Sequence, residues 1–291
     1  MFSKTKDVLV ILGATATGKS KLAIKIAKEC NAIIISADAY QVYKGLDIGT
    51  AKVTKEKQQG ISHYLIDIKT PDERYSAAEF VQRSQDIIKH ARQLKKKSIV
   101  CGGTALYLHG FLYNYQFPEK HHEHEKITQL LNSLSEKHEQ WAYLKKVDPE
   151  AAKNIHPNNH VRIRRALSVT LNTGVPFSKQ AQKSSLRKDV AIMGISCLRD
   201  TLYQRINKRV DKMIQQGLIE EVYSLYKSGY NQKHQALQAI GYKETLAYIT
   251  GSLTKEEMIE RIKKNTRHFA KRQETWFKKF EQINWHEAPH S

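Results

Sequence analysis

Eight residues near the start of the chain have the types and spacing of a phosphate-binding loop. The loop follows an apolar run at positions 8–12, and its glycines, Gly13 and Gly18, let the backbone turn successive N–H groups toward an anion. A helix beginning near Lys19 adds the positive end of its dipole, the Lys19 ammonium adds a mobile cation, and the Ser20 hydroxyl can ligate Mg²⁺. A bound di- or triphosphate is therefore predicted, held by Gly13, Ala14, Thr15, Ala16, Thr17, Gly18, Lys19 and Ser20.

A carboxylate follows the second apolar run of the chain. Asp38 comes directly after residues 33–37, so it should emerge at the carboxyl end of a strand, on the same sheet edge as the phosphate loop. There it can orient a Mg²⁺-bound water, bind a substrate hydroxyl or take a proton from a nucleophile, and a helix cap is the structural alternative. The segment 36–45 adds an amide and two tyrosines, which suits a base-sized acceptor better than a metal alone.

Two weaker patterns lie further along the chain. Gly102, Gly103 and Thr104 follow another apolar run, and such a group brings backbone and a donor close to a ligand, although an ordinary tight turn has the same composition. Arg205 and Arg209 lie one helical turn apart. They could place a guanidinium on a pyrophosphate, or they could lie on the solvent face of an amphipathic helix.

The chain is strongly basic. Its 291 residues contain 48 Lys and Arg against 29 Asp and Glu, a formal net charge of +19. This balance favours a polyanionic partner, although a lysine-rich solvated surface is the plainer explanation. The segment 263–279 interleaves basic groups with aromatic rings, a composition suited either to phosphates and splayed bases or to a helix that packs its Phe and Trp inward.

Other features argue against several classes of protein. Cys30, Cys101 and Cys197 lie far apart, so neither a disulfide framework nor a zinc ribbon is indicated. The cluster at 121–125 is contiguous and lacks the spacing of metal ligands, which is typical of a solvated loop. No apolar run approaches the roughly 20 residues that cross a bilayer, so we expect a cytoplasmic protein without membrane contact.

The elements that must position these residues alternate along the chain. Helical patterns run from Ser20 to Cys30 and from Ser76 to Lys95, and short strands are predicted at 8–12, 32–36, 98–101 and 190–196. This alternation predicts an α/β fold with a parallel sheet flanked by helices. Residues 119–188 are polar and helix-prone, so we expect an all-helical insertion domain there and a core domain formed by 1–118 and 189–291. The apolar stripe from Leu202 to Val222 predicts a core helix.

Taken together, these segments resemble the tRNA dimethylallyltransferase family over nearly the whole chain. The resemblance rests on the phosphate loop, the Asp38 segment, Gly102–Tyr107, Asp148-Pro149, His156–Asn158, Arg162–Leu167, Gly174, Arg205, Arg209, Gly241–Glu244 and Lys271–Trp276. It implies transfer of the dimethylallyl group from dimethylallyl diphosphate to the exocyclic N6 amine of adenosine 37, next to the anticodon, in tRNAs reading codons that begin with U. It also implies a P-loop core with a helical insertion, Mg²⁺ as the cofactor, the tRNA anticodon stem-loop as the partner, and a monomer.

The resemblance assigns roles to individual residues. Asp38 becomes the general base at the attacking amine, with Thr104 and Arg209 completing the catalytic set. Lys19, Ser20, Thr104 and Arg209 would hold the diphosphate, with Ser20 on the Mg²⁺. The residues implied in tRNA binding are Asp38, Ala39, Tyr40, Gln41, Thr104, Arg162, Arg165, Lys243, Lys271, Arg272, Gln273 and Trp276.

The chain departs from the family pattern in three places. Ala14 stands where proline is usual, and Asn159 and Ser168 stand where Asp and Glu are usual. These changes bear on loop stiffness and tRNA contacts and leave the implied catalytic groups intact. The sequence ends soon after Trp285 without a cysteine and histidine zinc finger, as expected of the bacterial form.

Three alternatives compete with this interpretation. A P-loop phosphotransferase acting on a small metabolite explains the loop but not the net charge. A non-catalytic RNA-binding nucleotide switch explains the charge but gives Asp38 no role. An enzyme that prenylates free adenine nucleotides shares the chemistry, but the basic and aromatic C-terminal segment argues against it.

Overall fold

The structure is a computed structural model. It describes residues 2–3, 5–115, 117, 125–134, 137–180 and 185–288. Residues 121–124, most of the histidine and glutamate cluster, lie outside the described residues, and Glu125 begins a helix.

The chain divides into two compact units. The first unit comprises residues 1–112 and 186–291, and the second comprises residues 113–185. The larger unit contains every described strand, and the described part of the smaller unit contains helices without a strand.

The larger unit is built around a parallel sheet. Its elements before the second unit are β1 (Val8–Gly13), α1 (Lys19–Cys30), β2 (Ala32–Ala37), α2 (Lys55–Gln58), β3 (His63–Tyr64), α3 (Ala77–Gln93), β4 (Lys97–Gly102) and α4 (Ala105–Leu112). The second unit contributes α5 (Glu125–Ser133), α6 (Lys137–Val147), α7 (Pro149–Asn154), α8 (His160–Thr173) and α9 (Phe177–Gln180). The larger unit resumes with β5 (Val190–Ser196), α10 (Arg199–Gln215), α11 (Leu218–Lys227), a 3₁₀ turn (Gln235–Gln238), α12 (Tyr242–Ile249), α13 (Lys255–Phe277) and β6 (Asn284–Glu287).

The order of the strands brings three loops together. Within the described residues the sheet has six strands in the order β3-β2-β4-β1-β5-β6, and each pairing is parallel. In register, Gly102 at the end of β4 lies opposite Leu12 of β1 on one side and Ala37 of β2 on the other. The segments that follow β1, β2 and β4 therefore emerge side by side at the carboxyl edge, where parallel α/β sheets bind their ligands. The predicted α/β class with a parallel sheet is confirmed.

The core explains why these segments become strands. Every residue of β1 and β2 is buried, as expected for strands that are covered by helices on both faces. Helix α1 buries Ala23, Ile24, Ile26 and Ala27, which recur at helical spacing and pack against the apolar residues of the sheet. The four predicted strands and the two predicted helices at Ser20–Cys30 and Ser76–Lys95 are confirmed, with ends that differ by one or two residues. The apolar stripe from Leu202 to Val222 is buried as predicted, but it lies on two helices, α10 and α11, because the chain turns at Gly217.

Two strands were not predicted from the sequence. β3 has two residues, and β6 is an exposed edge strand whose four residues lack an apolar alternation. β6 pairs with β5 so that Trp285 lies opposite Gly194. A Cβ at Gly194 would collide with the Trp285 ring, so the absence of a side chain there allows the indole to cover the strand.

The second unit has a small apolar core of its own. Leu131, Leu144, Ile163 and Leu167 are buried from different helices and pack together. Asp148 is the buried polar centre of this unit: its carboxylate caps α7 at the Ala151 N–H and accepts bonds from the Ser178 N–H and hydroxyl at 2.8 and 2.6 Å. Although burial opposes the charge, these bonds lower the pKa of Asp148. Asp148-Pro149 is thus a helix start with Pro at its favoured first position.

Candidate active site

The phosphate loop joins β1 to α1 at the carboxyl edge of the sheet. Gly18 precedes α1 in a left-handed conformation with φ of 88°, and because it carries no side chain, the first N–H groups of α1 keep their positive potential for a ligand. Inside the loop, the buried Thr17 hydroxyl donates to the Ala14 carbonyl at 2.8 Å. The loop is therefore shaped by its own hydrogen bonds before any anion arrives.

Lys19 folds back over this loop. Its Nζ donates to the Ala14 carbonyl at 2.6 Å. Burial lowers the pKa of Lys19 from its ordinary 10.5 to about 8; the Arg209 charge acts in the same direction, and the Asp38 charge opposes it. Because burial disfavours the charged form of Lys19, a bound anion would stabilise it, as a phosphate-binding group requires.

Asp38 lies directly after β2 and organises the turn that follows it. Its Oδ1 accepts the N–H groups of Tyr40 and Gln41 at 2.9 and 3.2 Å. The Ala39 N–H donates to the Thr104 hydroxyl oxygen at 3.1 Å, and the Thr104 N–H donates to the Ala37 carbonyl. The segments after β2 and β4 are thus bonded to each other, which fixes the position of the carboxylate.

Gln273 connects the far end of the chain to two of these segments. Its buried amide accepts the Thr15 N–H at 2.9 Å and donates to the Gly103 carbonyl at 2.8 Å. A Cβ on Gly103 would collide with this amide, and one on Gly102 would collide with the Ala37 carbonyl. The glycine pair therefore has a packing reason for its composition. The Thr15 N–H is committed to Gln273 rather than directed at an anion.

Helix α10 contributes a row of cations. Arg205, Lys208, Arg209 and Lys212 have the i, i+3, i+4, i+7 spacing of one helix face, and all four line a cleft of about 650 Å³ with Lys19 and Lys21. Of the described residues lining this cleft, Asp38 is the only one with a carboxylate. Uncharged residues also line the cleft, among them Ser20, Ser36, Gln41, Thr50, Gly103, Phe269 and Gln273.

Arg209 holds the loops on both sides of the cleft. Its guanidinium donates to the Thr15 hydroxyl at 3.3 Å and to the Thr50 carbonyl at 3.4 Å. Burial lowers the pKa of Arg209, while the negative charge of Asp38 acts in the opposite direction. The two long bonds to neutral oxygens leave the guanidinium charge uncompensated, so a diphosphate would be a better partner than those it has.

The chain has relatives among proteins of known sequence and structure. A family model described as IPP transferase matches residues 41–280. A tRNA dimethylallyltransferase of Thermoanaerobacter sp. (strain X514) is 48% identical over 289 residues, covering 96% of this chain and 91% of the relative. One from Anoxybacillus flavithermus (strain DSM 21510 / WK1) is 46% identical, covering 96% and 90%. The chain belongs to the tRNA dimethylallyltransferase family.

Solved structures of the family agree with this membership. A tRNA isopentenylpyrophosphate transferase from Staphylococcus epidermidis matches with a TM-score of 0.71 at 43% identity, covering 97% of this chain and 93% of that one. A eukaryotic dimethylallyltransferase acting on tRNA matches with a TM-score of 0.86 at 32% identity, covering 97% and 74%. This member of the family is thus an enzyme with the family's P-loop-like fold.

The residues implied in tRNA binding lie in different environments. Lys271, Arg272 and Trp276 are exposed on α13, and the indole of Trp276 is 41% accessible while its neighbour Phe277 is buried. Lys243 is exposed on α12, and Tyr40 is half-buried beside the Asp38 turn. Arg162 and Arg165 are exposed on α8 of the second unit. Gln41 and Gln273 line the cleft from within, where each is bonded to the protein.

Two of the three departures from the family pattern have local explanations. Ala14 is buried against Leu202, Ile206 and Ala270, so the position carries a small packing residue. Asn159 caps α8 by accepting the Arg162 N–H, a role in which Asn and Asp are equivalent. Nothing in the structure explains Ser168.

Some lining residues were missed in the sequence. Lys208 and Lys212 could have been found, because their spacing with Arg205 and Arg209 marks one helix face. Thr50 carried no signal, since it reaches the cleft through tertiary packing. Phe269 belongs to the basic and aromatic segment 263–279, but nothing in that pattern placed its ring in the cleft.

No helix among the described residues is long and apolar enough to cross a bilayer. The described residues also contain no group of three or more His, Cys, Asp or Glu side chains that could hold a metal ion.

Proposed function

We propose that this chain transfers the dimethylallyl group from dimethylallyl diphosphate to the N6 amine of adenosine 37 in tRNA, next to the anticodon. The observation that carries this proposal is the cleft itself, where six cations lie against one carboxylate, Asp38, at the carboxyl edge of the sheet. A phosphotransferase would need the same cradle, but membership of the family and the net charge of +19 favour a nucleic-acid substrate.

The cations serve the departure of pyrophosphate. As the allylic carbon–oxygen bond breaks, negative charge develops on the diphosphate, and donors already aimed at it stabilise the transition state without reorganising. Lys19, Arg209 and the first N–H groups of α1 are the groups proposed for this role, with the Thr104 hydroxyl beside them. In this role Lys19 would exchange the Ala14 carbonyl for a phosphate oxygen.

Mg²⁺ is the cofactor that these residues fit. The Ser20 hydroxyl is exposed at the first turn of α1, an oxygen ligand of the kind that Mg²⁺ accepts alongside phosphate oxygens. When bound there, the ion would neutralise charge on the diphosphate.

Asp38 receives the proton of the adenine amine. Its Oδ1 is held by two backbone N–H groups, so the carboxylate has a fixed orientation and its Oδ2 is the oxygen proposed to meet the amine. The amine is a weak nucleophile because its lone pair is delocalised into the ring, and removal of a proton as the carbon–nitrogen bond forms favours the transfer. The adenine must leave the anticodon-loop stack to reach this position.

The tRNA is proposed to bind along the exposed basic residues. Lys243, Lys271, Arg272 and Trp276 would contact it from the larger unit, and Arg162 and Arg165 would do so from the helical unit. Phosphate contacts of this kind set register and affinity, whereas the cleft selects the base.

The test is a reconstituted reaction. The protein is incubated with Mg²⁺, dimethylallyl diphosphate and unmodified tRNA, and the tRNA nucleosides are analysed by mass spectrometry. Isopentenyladenosine that requires all three additions supports the proposal. Unchanged adenosine with active, folded protein contradicts it, and phosphate transfer from ATP to a small acceptor would favour the phosphotransferase.

A further inference from the structure

A cluster of hydrogen bonds lies on the loop that joins β2 to α2. The Glu221 carboxylate of α11 accepts the N–H groups of Asp47, Ile48 and Gly49 at 3.1, 2.9 and 3.3 Å. The Tyr242 hydroxyl donates to the same carboxylate at 2.5 Å and accepts the Gly49 N–H at 3.1 Å. One carboxylate thus collects three consecutive backbone donors and a phenol.

This arrangement fixes the loop tightly. A Cβ on Gly49 would collide with the Tyr242 ring, so the backbone lies directly against the aromatic face. Burial and the Glu221 charge raise the pKa of Tyr242, so the phenol stays a donor to the carboxylate. A charged acceptor for several N–H groups is the stronger class of hydrogen bond, and its loss leaves the partly buried N–H groups of Ile48 and Gly49 without this acceptor.

The fixed loop ends at a carbonyl that serves the cleft. The Thr50 carbonyl, one residue beyond Gly49, accepts Arg209 Nη2 at 3.4 Å and Gln41 Nε2 at 3.2 Å. Gln41 in turn accepts the Ser36 hydroxyl at 3.1 Å. The position of Thr50 therefore sets the position of one guanidinium and one amide that line the cleft.

We propose that Glu221, with Tyr242, is a positioning residue for diphosphate binding: it holds residues 47–49 so that the Thr50 carbonyl orients Arg209 and Gln41. Neither Glu221 nor Tyr242 is among the residues lining the cleft, so their effect passes through the loop. This inference rests on the proposed function in taking the diphosphate as the ligand of the cleft. Its test uses pyrophosphate binding, which is measurable whether or not dimethylallyl transfer occurs.

Glu221→Gln is the informative change and Glu220→Gln is its matched control. Both variants remove one negative charge from the first turn of α11, but Glu220 is exposed. In Glu221→Gln an amide NH₂ group replaces one of the two acceptor oxygens. The NH₂ group is itself a donor, so it cannot accept a backbone N–H group. We expect its dissociation constant for inorganic pyrophosphate with Mg²⁺, measured by calorimetry, to rise about tenfold. Glu220→Gln should stay within about twofold of the parent.

Tyr242→Phe removes one of the four donors and keeps the carboxylate. It should weaken pyrophosphate binding by about threefold. If Glu221→Gln does not fold, pyrophosphate binding by Tyr242→Phe tests the proposal instead. Where transfer is measurable, KM for dimethylallyl diphosphate should rise in both variants while KM for tRNA changes less than about twofold. Pyrophosphate binding at parental strength in folded Glu221→Gln, or in Tyr242→Phe if the first variant is unfolded, would overturn the proposal. A lowered melting temperature with parental binding would mean that the cluster is only structural.

Discussion

The two ends of the central sheet use the same kinds of side chain for opposite purposes. At the amino end, Arg92 and Arg187 pair with Asp7 and Asp189, with N–O distances of 2.6 to 3.0 Å. At the carboxyl end, the cleft brings six cations against a single carboxylate among its described lining residues. The acidic and basic side chains form ion pairs at the amino end, whereas basic side chains outnumber carboxylates among the described lining residues of the cleft.

The pKa shifts follow this difference. At the amino end, hydrogen bonds from Arg187 and Arg92 lower the pKa of Asp189 to about 2, and the Arg92 bonds lower that of Asp7. At the carboxyl end, burial lowers the pKa of Lys19 to about 8 and lowers that of Arg209. The first end stabilises its charges and so contributes to folding. At the second end the charged forms of Lys19 and Arg209 are disfavoured by burial, and a bound anion would stabilise them. Binding sites differ from structural ion pairs in this way.

The largest difference in transfer activity should be seen between two variants that each remove one carboxylate, Asp38→Asn at the carboxyl end and Asp189→Asn at the amino end. Asp38→Asn keeps an oxygen for the Tyr40 and Gln41 N–H groups but cannot accept the amine proton. We expect kcat for transfer to fall about 10³-fold with tRNA affinity unchanged. Asp189→Asn should leave kcat within about twofold. Equal losses of kcat in both variants would mean that Asp38 affects transfer only by stabilising the fold. Thermal unfolding of each variant would show such a loss of stability.

Removing one arginine at each end should give the next largest difference. Arg209→Ala deletes a guanidinium proposed to bind the departing diphosphate, and kcat/KM for dimethylallyl diphosphate should fall about 100-fold. Arg92→Ala breaks two ion pairs at the amino end and should leave kcat/KM nearly unchanged. Initial-rate kinetics at saturating tRNA measure both values. A large kinetic loss in Arg92→Ala would show that the ends are not independent.

The smallest difference concerns stability against pH. The pKa of Asp189 is about 2, below the roughly 3.9 of an unfolded Asp, so its contribution is present above pH 4 and is lost as pH falls toward 2. Because these pairs are partly exposed, we expect Asp189→Asn to cost about 1 kcal/mol of unfolding free energy at pH 7. Urea unfolding should show that the gap in unfolding free energy between the parent and Asp189→Asn narrows at pH 3. A gap that stays constant with pH would exclude the ion pairs as its source.

The carboxyl end was largely predictable from the sequence, because it is built from local signals. The phosphate loop and Asp38 each follow a buried strand, and parallel strands bring such ends to one edge. The Gln273 clamp and the Glu221 anchor were not predictable, since their bonds join residues 170 to 258 positions apart. Gln273 was interpreted as a tRNA contact. Its burial between Thr15 and Gly103 gives it a structural role as well, and a tRNA contact stays a prediction.

Other regions lacked a signal that the sequence could carry. β6 is exposed along its whole length and has no alternating pattern, so it is recognisable as a strand only by its pairing with β5. The structure divides the chain at 112/113 and 185/186, whereas the sequence placed the helical insertion at 119–188. Composition changes gradually there, and single turn-forming residues such as Asn114 and Ser185 are too common along the chain to mark the positions.

The most direct test of the account is a crystal structure with Mg²⁺ and a dimethylallyl diphosphate analogue in which sulfur replaces the bridging oxygen. The account predicts that the diphosphate lies against the first N–H groups of α1, Lys19 and Arg209, with the metal at Ser20 and the allylic carbon facing Asp38. A diphosphate bound elsewhere, or an allylic carbon directed away from Asp38, would contradict it.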